Sequence, residues 1–193
     1  MEASSPTELG SSEPKASKRR INLERASILL IDNAWGLELL SRIFMGFGAR
    51  RLFRAPKIAD ANELLDKQQF DLVVAEAVIN GEDIYEFMRN LRLGSDHEPN
   101  RFVPVIILSA HTESRKITMA RDCGVNFFVA KPISPKVMMD RVLWVANTER
   151  KYLETNTYAG PDRRFRDEPL APGLTGRRRG DPKPDLELQE KSA

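Results

Sequence analysis

Four short apolar runs along the chain each stop at a residue of different chemistry. Ile28-Leu29-Leu30-Ile31 stops at Asp32-Asn33, and Leu72-Val73-Val74-Ala75 stops at Glu76. Val105-Ile106-Ile107-Leu108 stops at Ser109-Ala110, and Phe127-Phe128-Val129-Ala130 stops at Lys131-Pro132. Continuous apolar runs of this length read as strands buried on both faces. Arg51-Leu52-Phe53-Arg54 adds a short strand between the first two. The intervening stretches change period. Leu37, Leu40, Phe44 and Phe47 recur at steps of three and four, as do Ile84, Phe87, Met88 and Leu91, which marks amphipathic helices. Ile58, Ala61, Leu64 and Leu65 mark another, and Ile117 with Ala120 turns a further helix toward the core. Gly48 and Gly124 stand where helices stop. Ser134-Pro135 supplies an N-cap followed by proline at the first helical position, and the helix it opens runs through Val137, Met138, Val142 and Val145.

Strand and helix therefore alternate five times between Ile28 and about Val145. Right-handed crossovers put helices on both faces of such a sheet. The expected architecture is α/β, a flavodoxin-like doubly wound five-stranded parallel sheet in the order 2-1-3-4-5, spanning residues 26–150. Residues 1–25 are rich in Ser, Glu, Pro and Lys, with a basic run from Lys15 to Arg20. That composition buries too little apolar surface to offset its ordering entropy, so a disordered N-terminal tail is expected. Residues 151–193 are rich in Arg, Pro and Gly and show neither helical nor strand period. A second disordered tail is expected there.

Composition narrows the partner classes. Net charge is +2 over 193 residues, so any polyanion site must be local. The one cysteine, Cys123, cannot form an internal disulfide and fits a reducing compartment. No apolar stretch reaches the roughly 18 residues needed to cross a bilayer. The expectation is a cytoplasmic protein without membrane insertion.

In an open α/β sheet the C-terminal ends of the strands form the site-bearing rim. Asp32, Glu76, Ser109 and Lys131 converge there. In order, spacing and strand context these residues, with Lys131-Pro132 after an aromatic strand, resemble the receiver domain of two-component response regulators. The resemblance implies a phosphoaccepting aspartate after the third strand, two acids for Mg²⁺ after the first, a hydroxyl after the fourth and a lysine after the fifth. Asp32 matches the first acid, Ser109 the switch hydroxyl and Lys131 the lysine. Val78 would offer a backbone carbonyl to the metal. Phe128 takes the aromatic switch position without a hydroxyl.

Two positions depart from the family pattern. Glu76 stands at the phosphoacceptor position, with its carboxylate about 1–1.5 Å further out than an aspartate's. In-line transfer tolerates such misplacement poorly. Asn33 replaces the second acid and removes a formal charge from a cation site, so the resemblance implies no cofactor or at most a weak Mg²⁺ site. The expected protein is an atypical, pseudo-receiver signalling module. It acts by protein contact, not by ordinary aspartyl phosphorylation. A Glu76–Lys131 ion pair at the rim is expected to hold an active-like state or to fill a defunct site.

The implied partners are proteins of a signalling pathway, including a histidine kinase or phosphotransfer protein. The fourth-helix face, with Arg115, Lys116, Met119 and the neighbourhood of Phe127, is the family's usual output surface. Trp35 is expected to pack on the neighbouring loop or, as the alternative, to cover the rim, and His111 to be a polar loop residue. The tail gathers Arg163, Arg164, Arg166, Arg177, Arg178 and Arg179 against two acids. Three readings fit it: a solvated extension, an anion-binding segment suited to a cyclic dinucleotide such as cyclic di-GMP, or a protein-docking tail or nonspecific nucleic-acid contact. Nothing resembles a sequence-reading DNA module. No nucleophile–histidine pair suggests an enzyme. A working phospho-receiver remains the alternative.

Overall fold

The computed structural model describes residues 22–94, 98–110, 113–148 and 151–162. Its main sheet has five parallel strands, β1 (Ser27–Ile31), β2 (Arg51–Ala55), β3 (Leu72–Glu76), β4 (Val105–Ser109) and β5 (Phe127–Ala130), ordered β2-β1-β3-β4-β5. Five helices connect or follow them: α1 (Ala34–Gly46), α2 (Ile58–Lys67), α3 (Ile84–Leu93), α4 (Ser114–Asp122) and α5 (Pro135–Asn147). This is the doubly wound flavodoxin-like topology that the apolar runs predict.

The pleat sorts each strand's residues between two cores. Leu29, Ile31, Val73, Ala75, Val105 and Ile107 point to one face, where Leu65, Phe87, Met88, Leu91 and Ala120 of α2, α3 and α4 cover them. Ile28, Leu30, Leu72, Val74, Ile106 and Leu108 point to the other, against Leu37, Leu40, Phe44, Met138 and Val142 of α1 and α5. Each fully buried aliphatic side chain contributes about 1.5–3 kcal/mol, so the three inner strands, buried along their whole length, anchor the fold.

Two buried polar side chains tie down the loops opposite the rim. Asn100 Oδ1 accepts from Phe70 N at 2.9 Å, and its Nδ2 donates to the carbonyls of Leu65 and Gln68 at 2.9 Å each. Arg92, on the last turn of α3, is almost fully buried. It donates to the carbonyls of Gly124 at 3.0 Å, Arg101 at 2.6 Å and Val103 at 2.7 Å. Buried backbone acceptors need partners, and here side chains supply them.

The structure departs from the sequence pattern in three places. Strands β6 (Tyr152–Thr155) and β7 (Tyr158–Pro161) form an antiparallel hairpin where a disordered tail was expected. Its strands are too short to show a period, and its order comes from partners elsewhere. Tyr152 stacks edge-on against Phe102 at 5.4 Å, Arg101 Nη2 pairs with Glu154 Oε1, and Ala159 is buried. At the other end, Leu23 is buried and Glu24 pairs with Arg50 at 3.1 Å, so residues 22–25 join the domain instead of the expected tail. Ile117, expected to face the core, is 42% exposed, leaving Ala120 as the buried residue of α4.

Candidate functional site

The rim is built by the ends of β1, β3, β4 and β5. Register pairs Ile31 with Ala75, Glu76 with Leu108, and Ser109 with Ala130. The residues that follow or end these strands, Asp32, Glu76, Ser109 and Lys131, therefore face one crevice. Asp32, Glu76 and Ser109 are all buried, which is costly for carboxylates unless a cation or donors compensate.

Lys131 supplies the compensation. Its ammonium pairs with Glu76 Oε2 and lies 3.3 Å from Asp32 Oδ2. The other oxygen of each carboxylate meets backbone: Glu76 Oε1 accepts from Ala77 N at 3.1 Å, and Asp32 Oδ1 from Asn33 N at 2.7 Å. Burial works against the Lys131 ammonium, but the hydrogen bonds and charges of Glu76 and Asp32 outweigh it. Its pKa therefore lies above the usual lysine value.

Asn33 serves the helix. Its Oδ1 accepts from Gly36 N at 3.0 Å, capping α1 and satisfying one of the orphan donors of the first turn. The lysine charge already sits between the two carboxylates. Val78 lies in a two-residue bridge with Asp83, just after β3, and Phe128 is half-buried on β5 against the α2–α3–α4 core. The described residues contain no cluster of three or more acids, histidines or cysteines arranged to hold a metal.

One rim residue escapes sequence reasoning. Gly36 lies in the first turn of α1, and a Cβ there would overlap the Asp32 carboxylate. The bare glycine lets that carboxylate tuck beneath the helix. The signal was present as a glycine shortly after Asp32, but a glycine inside a helical pattern does not by itself announce a close contact. Trp35 does not pack on a loop as expected; it is 87% exposed. It lines a shallow apolar groove with Leu39, Arg42 and Lys131, because its helical position points away from both cores. His111 and the arginines at 163, 164, 166, 177, 178 and 179 lie outside the described residues, as do residues 1–21.

The model of the response regulator receiver domain family matches residues 28–143. The chain belongs to this family. Among curated relatives, the transcriptional regulatory protein AfsQ1 of Streptomyces coelicolor is 24% identical over 116 residues, covering 60% of this chain and 49% of that protein. The DNA-binding response regulator MtrA of Mycolicibacterium smegmatis is 28% identical over 122 residues, covering 61% and 49%. The chain thus spans about half the length of these relatives. Among solved structures, the receiver resembles the chemotaxis protein CheY4 of Vibrio cholerae (TM-score 0.56, 20% identity, 62% of this chain and 98% of that one). It also resembles the receiver domain of the sensor histidine kinase PA1611 of Pseudomonas aeruginosa (TM-score 0.54, 22% identity, 63% and 98%). That structure holds a magnesium ion in its active-site cleft. At these identities the structural likeness shows the fold alone. No helix among the described residues is long and apolar enough to cross a membrane.

Proposed function

We propose that this receiver domain works as a signalling module through protein contact and is not switched by ordinary aspartyl phosphorylation. The observation that carries the reading is the Glu76 carboxylate held on the Lys131 ammonium. At the position where the family pattern implies an aspartate, a side chain one methylene longer brings a permanent negative charge to the lysine. A charge-assisted pair of this kind is short and strong for its class. The cation that would neutralise a transferring phosphoryl group is already neutralised. Asn33, which caps α1, gives Mg²⁺ one fewer anionic ligand. The domain so described needs no metal to keep its rim electrostatically closed, and its partners are proteins of a signalling pathway.

The experiment is intact-mass measurement after incubation with a small phosphodonor and Mg²⁺. The expected result is no adduct on the native chain. The Asn33→Asp/Glu76→Asp variant, with both acids restored, is expected to gain the mass of one phosphoryl group at residue 76. A stable adduct on Glu76 of the native chain would overturn the proposal in favour of a working phospho-receiver.

A further inference from the structure

Among the five helices, α4 has the least to hold it. Ala120 is its one buried residue, against five in α1 and six in α3, and its N-cap, Glu113, makes no side-chain capping bond. A helix with so little buried surface opens locally at low cost. Its C-terminal end, by contrast, is gripped from outside the helix. The Gly124 carbonyl, in the turn to β5, accepts from Arg92 Nε, and the same guanidinium holds the carbonyls of Arg101 and Val103 on the way into β4.

The β6–β7 hairpin covers that joint. Its Tyr152 ring lies 5.8 Å from the Arg92 guanidinium carbon, and its Tyr152 hydroxyl meets the Asn126 side chain at 3.3 Å. The Ala159 carbonyl sits so close over Gly124 that a Cβ would overlap it. Gly124 also has φ +80°, a conformation that favours glycine. Gly160 lies against the Gly124 Cα, where a Cβ of its own would be only 2.6 Å away. Two glycines from distant segments thus allow two backbones to touch. No carboxylate pairs with Arg92 among the described residues. Among these residues its buried charge is met by the three carbonyl dipoles and the Tyr152 ring, and the cost of burying it stays low only while those groups are held in place. Tyr158 and Pro161 then border Ile117 and Arg121 of α4 across a small groove.

We propose that the β6–β7 hairpin is a built-in clamp. Seated on Arg92 and Gly124, it holds the C-terminal half of α4 and the α4–β5 turn in one conformation, so that the α4–β5 face is presented in a fixed form. The clamp is independent of the rim chemistry. It stands whether or not Glu76 accepts a phosphoryl group.

Hydrogen exchange on the full-length chain tests it. Tyr152→Ala and Gly160→Val are expected to speed amide exchange in Met119–Gly124 by about tenfold or more, the signature of a local opening, while β1 and α2 keep their native rates. Unchanged exchange in Met119–Gly124 with amides of Tyr152–Pro161 exchanging fast would overturn the clamp. So would a uniform rise across all five strands, which would make the hairpin a contributor to global stability only. Should either variant fail to fold, Tyr152→Phe removes only the hydroxyl contact to Asn126. It is expected to raise exchange in the same segment by a smaller factor, and no rise there would overturn the proposal.

Discussion

Asp32 and Gly36 act as a pair. The carboxylate occupies the space that any larger residue at position 36 would claim, and this determines the sign of an otherwise routine substitution. Gly→Ala inside a helix normally gains up to about 1 kcal/mol. At Gly36 the overlap with Asp32 should instead cost about 1–3 kcal/mol. At Gly46, where nothing lies within 4 Å of the added atom, the same change should be neutral or stabilising. Urea midpoints of Gly36→Ala and Gly46→Ala check this, and equal shifts of the same sign would contradict it. Much of the rim was legible in the sequence because each of its residues ends an apolar run: Asp32, Glu76, Ser109 and Lys131 could be placed from strand endings alone. The Asp32–Gly36 contact was not legible, because it depends on a rotamer beneath a helix and no periodicity encodes that. The exposure of Trp35 was missed for a related reason. A pattern of apolar positions says which residues can be buried, and a helix has only one face to bury.

At the scale of elements, the five strands, the glycine stop after α1 and the N-cap of α5 follow from local pattern. Ser134 Oγ accepts from Val137 N at 3.2 Å, as a Ser-Pro start implies. The hairpin does not follow, since its four-residue strands are held by Phe102, Arg101, Asn126 and Gly124, all more than twenty residues earlier in the sequence. The exposure of Ile117 belongs with it: α4 was expected to be held by two apolar residues and is held by one, with the hairpin bordering it. The reference is a chain ending after Asp162, its unfolding free energy taken from urea titration. One ending after Thr148, which strips Tyr152 from Arg92, should lose about 2–4 kcal/mol, on the scale of deleting a buried aromatic side chain. Equal midpoints for the two truncated chains would show that residues 149–162 add nothing.

For the molecule as a whole, Lys131 and Tyr85 are groups among the described residues that weaken the fold in alkali. The Lys131 ammonium has its pKa raised above the usual 10.5. Burial, with the charges of Asp83, Cys123 and Glu76, pushes the Tyr85 phenol up to about 12 from its usual 10.0. Both folded pKa values lie above their unfolded ones. The folded state therefore binds more protons than the unfolded chain at high pH, and stability falls as pH rises. The stabilisation is complete below about pH 10 and is lost as pH climbs through the raised values. Urea midpoints should be level from about pH 8 to 10 and decline above that. Tyr85→Phe should flatten the decline without destabilising the domain at neutral pH, because the buried hydroxyl has no hydrogen-bond partner among the described residues. A decline that begins well below pH 10, or that Tyr85→Phe leaves untouched, would contradict the assignment. Arg92 carries a consequence of another kind, one of timing. As the chain leaves the ribosome, Arg92 emerges well before Tyr152, after the first three strands and before β4 and β5. The sheet can close once β5 has appeared, yet the guanidinium still lacks its ring and its glycine lid. A nascent chain stalled between α5 and the hairpin would carry a complete sheet with the Arg92 guanidinium still uncovered at the end opposite the rim.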